Sequence, residues 1–163
     1  MAHLSGTHEV TPSLLDRLID DHPDLPQEAI GSHLQDFREF RRSVARDLES
    51  LLNTRRELLD DLPADFEEVN QSLLLYGLPD FTAFNLLDVS DLARLRHAIE
   101  EAIATFERRL QRVRVTMEPP KPNDRAVHFR IDALLRSEPA TEPVSFDTIL
   151  QLGTQEYVVK QQD

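Results

Sequence analysis

The chain contains no cysteine, which excludes disulfides, thiolate zinc sites and cysteine nucleophiles. Glycine is scarce, and its four copies stand apart at positions 6, 31, 77 and 153. No glycine-rich phosphate loop can be built from them. No stretch of about 18 apolar residues occurs, so no membrane span is expected. Met1 to Glu9 has neither a basic region nor an apolar stretch, and does not read as a secretory signal. A cytoplasmic protein is the simplest reading. Histidine is present six times, but never as a His-x-x-x-His pair or in a His-Glu-x-x-His motif. There is no Gly-x-Ser-x-Gly elbow either. Nothing demands a metal or a cofactor, and none is expected.

What the chain does have is charge. Its 163 residues carry a formal net charge of -12, with 29% charged and 40% hydrophobic residues. Such a length supports one domain with a real core. Residues 1–100 hold 20 acidic and nine basic side chains, while residues 101–163 hold 10 and nine. The acidic half would repel phosphate backbones, which argues against nucleic-acid binding.

Residues 1–26 read as a flexible N-terminal extension with one short amphipathic segment, Ser13 to Ile19, and residues 27–163 as a single domain. Two prolines and three acids between Asp20 and Pro26 break any helix there. A helix is expected to begin near Gln27, with an interruption at Gly31-Ser32, and the main helix to run from about Leu34 to Thr54. In that helix Phe37, Phe40, Val44, Leu48 and Leu51 share one face. Asn53 can close it in a left-handed conformation, and Arg55 and Arg56 then lie near the negative end of its dipole. Ser72 to Tyr76 is a short helix stopped by Gly77. A further helix is capped by Ser90 and carries Leu92, Leu95, Ile99, Ala102, Ile103 and Phe106 on one stripe.

After Phe106 the period changes from helix to strand. Arg112 to Met117 alternates, as do Val127, Phe129, Ile131 and Ala133 with His128, Arg130 and Asp132. Ser137 to Pro143 is a connection, and Val144–Leu152 and Glu156–Val159 are the last strands, with Gly153 between them. The predicted fold class is α+β, with N-terminal helices packed on a C-terminal antiparallel sheet of about four strands.

Two polar features call for weighing. Glycosidases need two carboxyl groups across one cleft. Asp47 and Glu49 diverge on a helix, and Glu67-Glu68 and Glu100-Glu101 are adjacent and diverge too. Thirty acids make chance pairs expected, so solvated faces and ion pairs are the simpler account. Arg108-Arg109-Leu110-Gln111-Arg112-Val113-Arg114 is the main basic cluster. Arg112 and Arg114 share a strand face, which either discourages edge aggregation or docks an acidic or helical partner.

The run Val44 to Arg56, with RDLESLLNTRR at its heart, goes beyond what an amphipathic helix needs. Together with Ser72-Leu73-Leu74-Leu75-Tyr76-Gly77-Leu78-Pro79-Asp80 and Ser13-Leu14-Leu15-Asp16-Arg17-Leu18, it resembles the TssE family. TssE is the small baseplate subunit of the bacterial type VI secretion system, akin to a baseplate wedge protein of contractile-tailed phages. Phe106-Glu107-Arg108-Arg109-Leu110 matches where the family typically has Glu-Pro-Arg, with Arg108 in place of the proline. The resemblance implies a non-enzymatic subunit in the wedge with TssF and TssG, next to TssK, where the contractile sheath begins, on the cytoplasmic side of the inner membrane. It implies that the Glu107/Arg109 region contacts partner helices, and that sheath strands add to the C-terminal sheet. Arg55 and Arg56 are further candidates for a partner contact. The competing reading is a peptidoglycan hydrolase, since the phage relatives share a family label containing "lysozyme".

Overall fold

The computed structural model describes residues 37–56, 67–85, 88–118, 126–137 and 141–161, together with Leu18, a helical and exposed position. The rest of the expected N-terminal extension, the helix near Gln27 and the connection around Asp60–Phe66 lie outside the described residues.

Helix α1 spans Phe37–Asn53 and buries Phe40, Val44, Leu48 and Leu51 of the predicted stripe, with Leu52 beside them, while Phe37 is half-buried against the core. Asn53 does not take the left-handed conformation expected of it. Among the described non-glycine residues only Arg112 and Gln155 have positive φ. The helical hydrogen bonding instead continues into Thr54, whose N–H and hydroxyl both donate to the Ser50 carbonyl at 3.1 and 2.8 Å.

After the short helix α2 (Glu67–Asn70), a 3-10 turn covers Leu73–Leu75, capped by Ser72. Gly77 has a different task from the expected helix stop. Tyr76 closes the turn in an extended conformation, and Gly77 takes φ +107°. A Cβ on Gly77 would lie 2.3 Å from the Thr54 carbonyl oxygen. Its absence lets the chain run beside the end of α1. There Leu78 N–H donates to Thr54 O at 2.8 Å and Arg56 N–H donates to Leu78 O at 2.9 Å, forming a parallel bridge between Arg55 and Leu78.

Helix α2 is followed by α3, Val89–Phe106, which buries Leu95, Ile99, Ala102 and Ile103. Asp88, not Ser90, caps it. Ser90 already sits inside the helix, where its N–H is an unsatisfied donor, and the Asp88 carboxylate accepts it at 2.7 Å. Hydrogen bonds from the Ser90 hydroxyl and N–H hold the Asp88 carboxyl below the usual range.

Four strands follow: β1 (Leu110–Met117), β2 (Ala126–Arg136), β3 (Thr141–Gln151) and β4 (Tyr157–Gln161). They form one antiparallel sheet in the order β1-β2-β3-β4. The arrangement is α+β. Strand β3 starts at Thr141, so part of the expected 137–143 connection is strand, paired there with Arg136. One sheet face supplies Phe129, Ile131, Leu135, Val144, Phe146 and Leu150 to the same core as the α1 and α3 stripes. The other face carries polar cross-strand pairs such as Arg130–Asp147 at 3.1 Å and Ser145–Asp132 at 2.6 Å.

A bulge interrupts β1. The pairing runs Leu110–Leu135 and Gln111–Leu134, then resumes at Arg114–Asp132. The extra residue shifts parity by one, so that both Leu110 and Val115 are buried although they are five positions apart. Arg112 sits in the bulge at φ +53°.

Gly77→Ala is expected to destabilise the fold by about 2–4 kcal/mol, because it adds a backbone clash to a φ that side chains rarely take. Urea unfolding of the full chain measures it.

Candidate partner-binding site

The expected partner residues fall in three places. Glu107 and Arg109 stand at the turn from α3 into β1, Arg55 and Arg56 at the end of α1, and Arg112 and Arg114 along β1. Only the first pair is brought together by side-chain contact. The other four do not join it through any contact described for them.

Glu107 is only 7% exposed. Its carboxylate folds back on its own chain, where one oxygen accepts the Arg109 N–H at 3.1 Å and Arg109 Nε at 2.7 Å. The other accepts Arg109 Nη2. The same Nη2 donates to Asp47 on α1 at 2.6 Å, and the guanidinium lies 5.9 Å from the centre of the Phe40 ring. Burial opposes the Arg109 charge, but Glu107 and Asp47 outweigh it and hold that charge more firmly than in water. Burial, together with the Asp47 and Glu107 charges, pushes the nearby Tyr76 phenol up.

This arrangement steers the chain into the sheet. Glu107 N–H still donates to Ile103 O at 2.9 Å, Leu110 N–H donates to Glu107 O at 3.1 Å, and Arg109 O accepts the Arg136 N–H at 2.8 Å. Side chain–backbone bonds fix the turn where the family's usual proline would. Arg108, standing in that position, is exposed.

By spacing on α1, Asp47 with Arg46 and Glu49 with Asn53 could be local helix contacts. The first pair is present at 3.0 Å. In place of the second, both residues reach β4. Asn53 Oδ1 accepts Tyr157 N–H at 2.8 Å while Asn53 Nδ2 donates to Tyr157 O at 2.9 Å, and Glu49 accepts Val159 N–H at 2.9 Å. The free edge of the last strand is thereby covered by a helix. At the opposite edge of the sheet, Glu100 of α3 accepts Val115 N–H at 2.8 Å. Neither role carries a local sequence signal, because both depend on a strand far along the chain or on a bulge.

Arg55 makes an exposed 3.8 Å contact with Asp80 and bonds Gln155. It rims a groove of about 460 Å³ walled by Leu78, Phe81, Phe84, Val127 and Leu152. A second groove of about 580 Å³ runs along the outer edge of β1, between Val113–Met117 and Arg96 and Glu100 of α3. The first has no carboxylate in its lining and the second has one, Glu100, already bonded to backbone. Neither offers the carboxylate pair that glycoside hydrolysis needs. Among the described residues no group of His, Asp or Glu is placed to hold a metal ion, and no helix is long and apolar enough to cross a membrane.

A two-layer α+β domain emerges, in which Glu49, Asn53, Glu100 and Arg109 join one element to another. The family model for baseplate wedge protein gp25 matches residues 38–140, and the chain belongs to this family, which is that of TssE. No curated protein and no solved structure gave a significant match. Membership ties the chain to the baseplates of contractile injection systems, in a family of structural proteins that associate with other baseplate subunits.

Two substitutions probe the site. Arg109→Ala removes the guanidinium that Asp47 and Glu107 share, leaving Asp47 with Arg46 and the buried Glu107 without its cation. It should cost about 2–3 kcal/mol, below the roughly 3–5 of a fully buried pair. Asn53→Ala should cost about 1–2 kcal/mol by leaving both Tyr157 backbone groups unpaired. Denaturant titration of each variant reads both.

Proposed function

We propose that this protein is a non-enzymatic subunit of a type VI secretion baseplate wedge, bound to TssF and TssG with TssK nearby, and that it links the wedge to the first contractile sheath subunits. The observation that carries this reading is the family match over residues 38–140. The lack of a carboxylate pair in either groove favours it over a peptidoglycan hydrolase.

Strand addition from a sheath subunit is best served by β1. The edge of β4 is occupied at Tyr157 and Val159 by α1 side chains, whereas β1 is held at Val115 alone among its described residues and borders an open groove. Arg112 supports a contact on this strand. An arginine at φ +53° is strained by about 1–2 kcal/mol, and glycine would fit the bulge better. Strain of this kind is retained where the side chain has a task. Glu107 serves the wedge by shaping the surface, since its carboxylate is committed to Arg109. Arg55, Arg56 and Arg114 act as contact residues.

The test is co-expression with TssF and TssG, purification and size-exclusion chromatography. A shared complex is expected. Arg55→Ala/Arg56→Ala and Arg112→Ala/Arg114→Ala should each lower its recovery severalfold while changing the stability of the free chain by no more than about 1 kcal/mol. Failure of this chain to join TssF and TssG that bind each other would overturn the proposal and bring the hydrolase assay forward.

A further inference from the structure

The first ten residues of α1, Phe37 to Arg46, contain four arginines and one glutamate, a local reversal in a chain of net charge -12. Arg38, Arg42 and Arg46 recur every four residues, so they form one stripe about 12 Å long, and all three are exposed. Helix stability does not account for them. The last turn of α1, where cations are favoured, has no basic residue. Like charges four apart also repel. A pattern that works against its own helix points to something outside it.

The surroundings balance Arg109, which both Asp47 and Glu107 face. Asp47 is shared, with one oxygen 3.0 Å from Arg46 and the other 2.6 Å from Arg109. One carboxylate thus serves two guanidinium groups. Arg109 Nη1 is buried and makes no hydrogen bond to a described residue. Exposed Arg108 adjoins this group in sequence.

We propose that the stripe Arg38, Arg42 and Arg46 is a docking surface for an acidic segment of another protein, one presenting several carboxylates along about three helical turns. Guanidinium groups suit carboxylates through paired N–H donors. Carboxylates are favoured over nucleic-acid phosphates because the acidic body repels a long polyanion, and among the described residues no exposed aromatic side chain flanks the stripe to stack on bases. The surface is distinct from the β1 edge and from Arg55 and Arg56, and it does not depend on the baseplate assignment.

The test uses the full chain and a fluorescein-labelled octaglutamate peptide, with a short DNA duplex as comparison. At low salt the peptide should bind despite the like net charges, and weaken about tenfold or more toward physiological ionic strength. Arg38→Glu/Arg42→Glu should abolish binding while leaving the melting temperature within about 2 °C of the parent's, because both side chains are exposed. A merely structural stripe would not combine these two results. Arg94→Ala/Arg96→Ala, on α3, should bind as the parent does. The proposal is overturned if the parent does not bind the peptide, if the reversed variant binds equally well, or if DNA binds as tightly as the peptide. Binding that emerges only after Asp20, Asp21 and Asp24 are replaced by asparagine would also overturn it, by making this chain's own segment the occupant.

Discussion

The contact on which most of this structure depends is the pairing of Asn53 with the backbone of Tyr157. One amide side chain supplies an acceptor and a donor to one residue of β4, as a neighbouring strand would. Glu49 repeats half of this one helical turn earlier, at Val159. The edge of a sheet is normally a place where another chain can pair. Here α1 ends that possibility on one side, and the same helix contributes its apolar stripe to the core. Its C-terminal end is then tied to Leu78 through the close approach that Gly77 permits.

Electrostatics in the molecule follow the same economy. Of the charged groups singled out from sequence, Glu107 and Arg109 serve as internal ties and set the turn into β1. Arg55, Arg112 and Arg114 stay exposed, as do Arg38, Arg42 and Arg46 on α1, which the sequence had not marked. Local strain at Arg112 and an unfavourable charge pattern on α1 distinguish these positions from ordinary solvated arginines.

Much of the fold was legible in the sequence because periodicity reports burial directly. The stripes of α1 and α3 and the alternation in β2 match the core, and the shift from helical to alternating spacing after Phe106 marks the start of the sheet. What escaped were roles set by distant partners. Gly77 looks like a helix stop because its need, room for the Thr54 carbonyl, arises from another part of the chain. Ser90 looks like a cap, but Asp88 two residues earlier has the better geometry. The β1 bulge left no local mark, since Arg112 is not the residue that bulges favour. For the candidate site, the resemblance put forward Glu107 and Arg109, but gave no sign that Glu107 is turned inward or that Glu49 and Asn53 hold a strand.

The Asn53–Tyr157 contact joins residues 104 apart, and Glu49–Val159 joins residues 110 apart. During synthesis α1 leaves the ribosome long before β4 exists, so its polar face waits for almost the whole chain. Contacts of such separation close late, after the sheet has been assembled. Until then the edge of β3 that β4 will cover is open to any neighbouring nascent chain. Where messages are translated by many ribosomes at once, β4 is therefore what closes that edge, and a chain lacking Tyr157–Gln161 would leave it open.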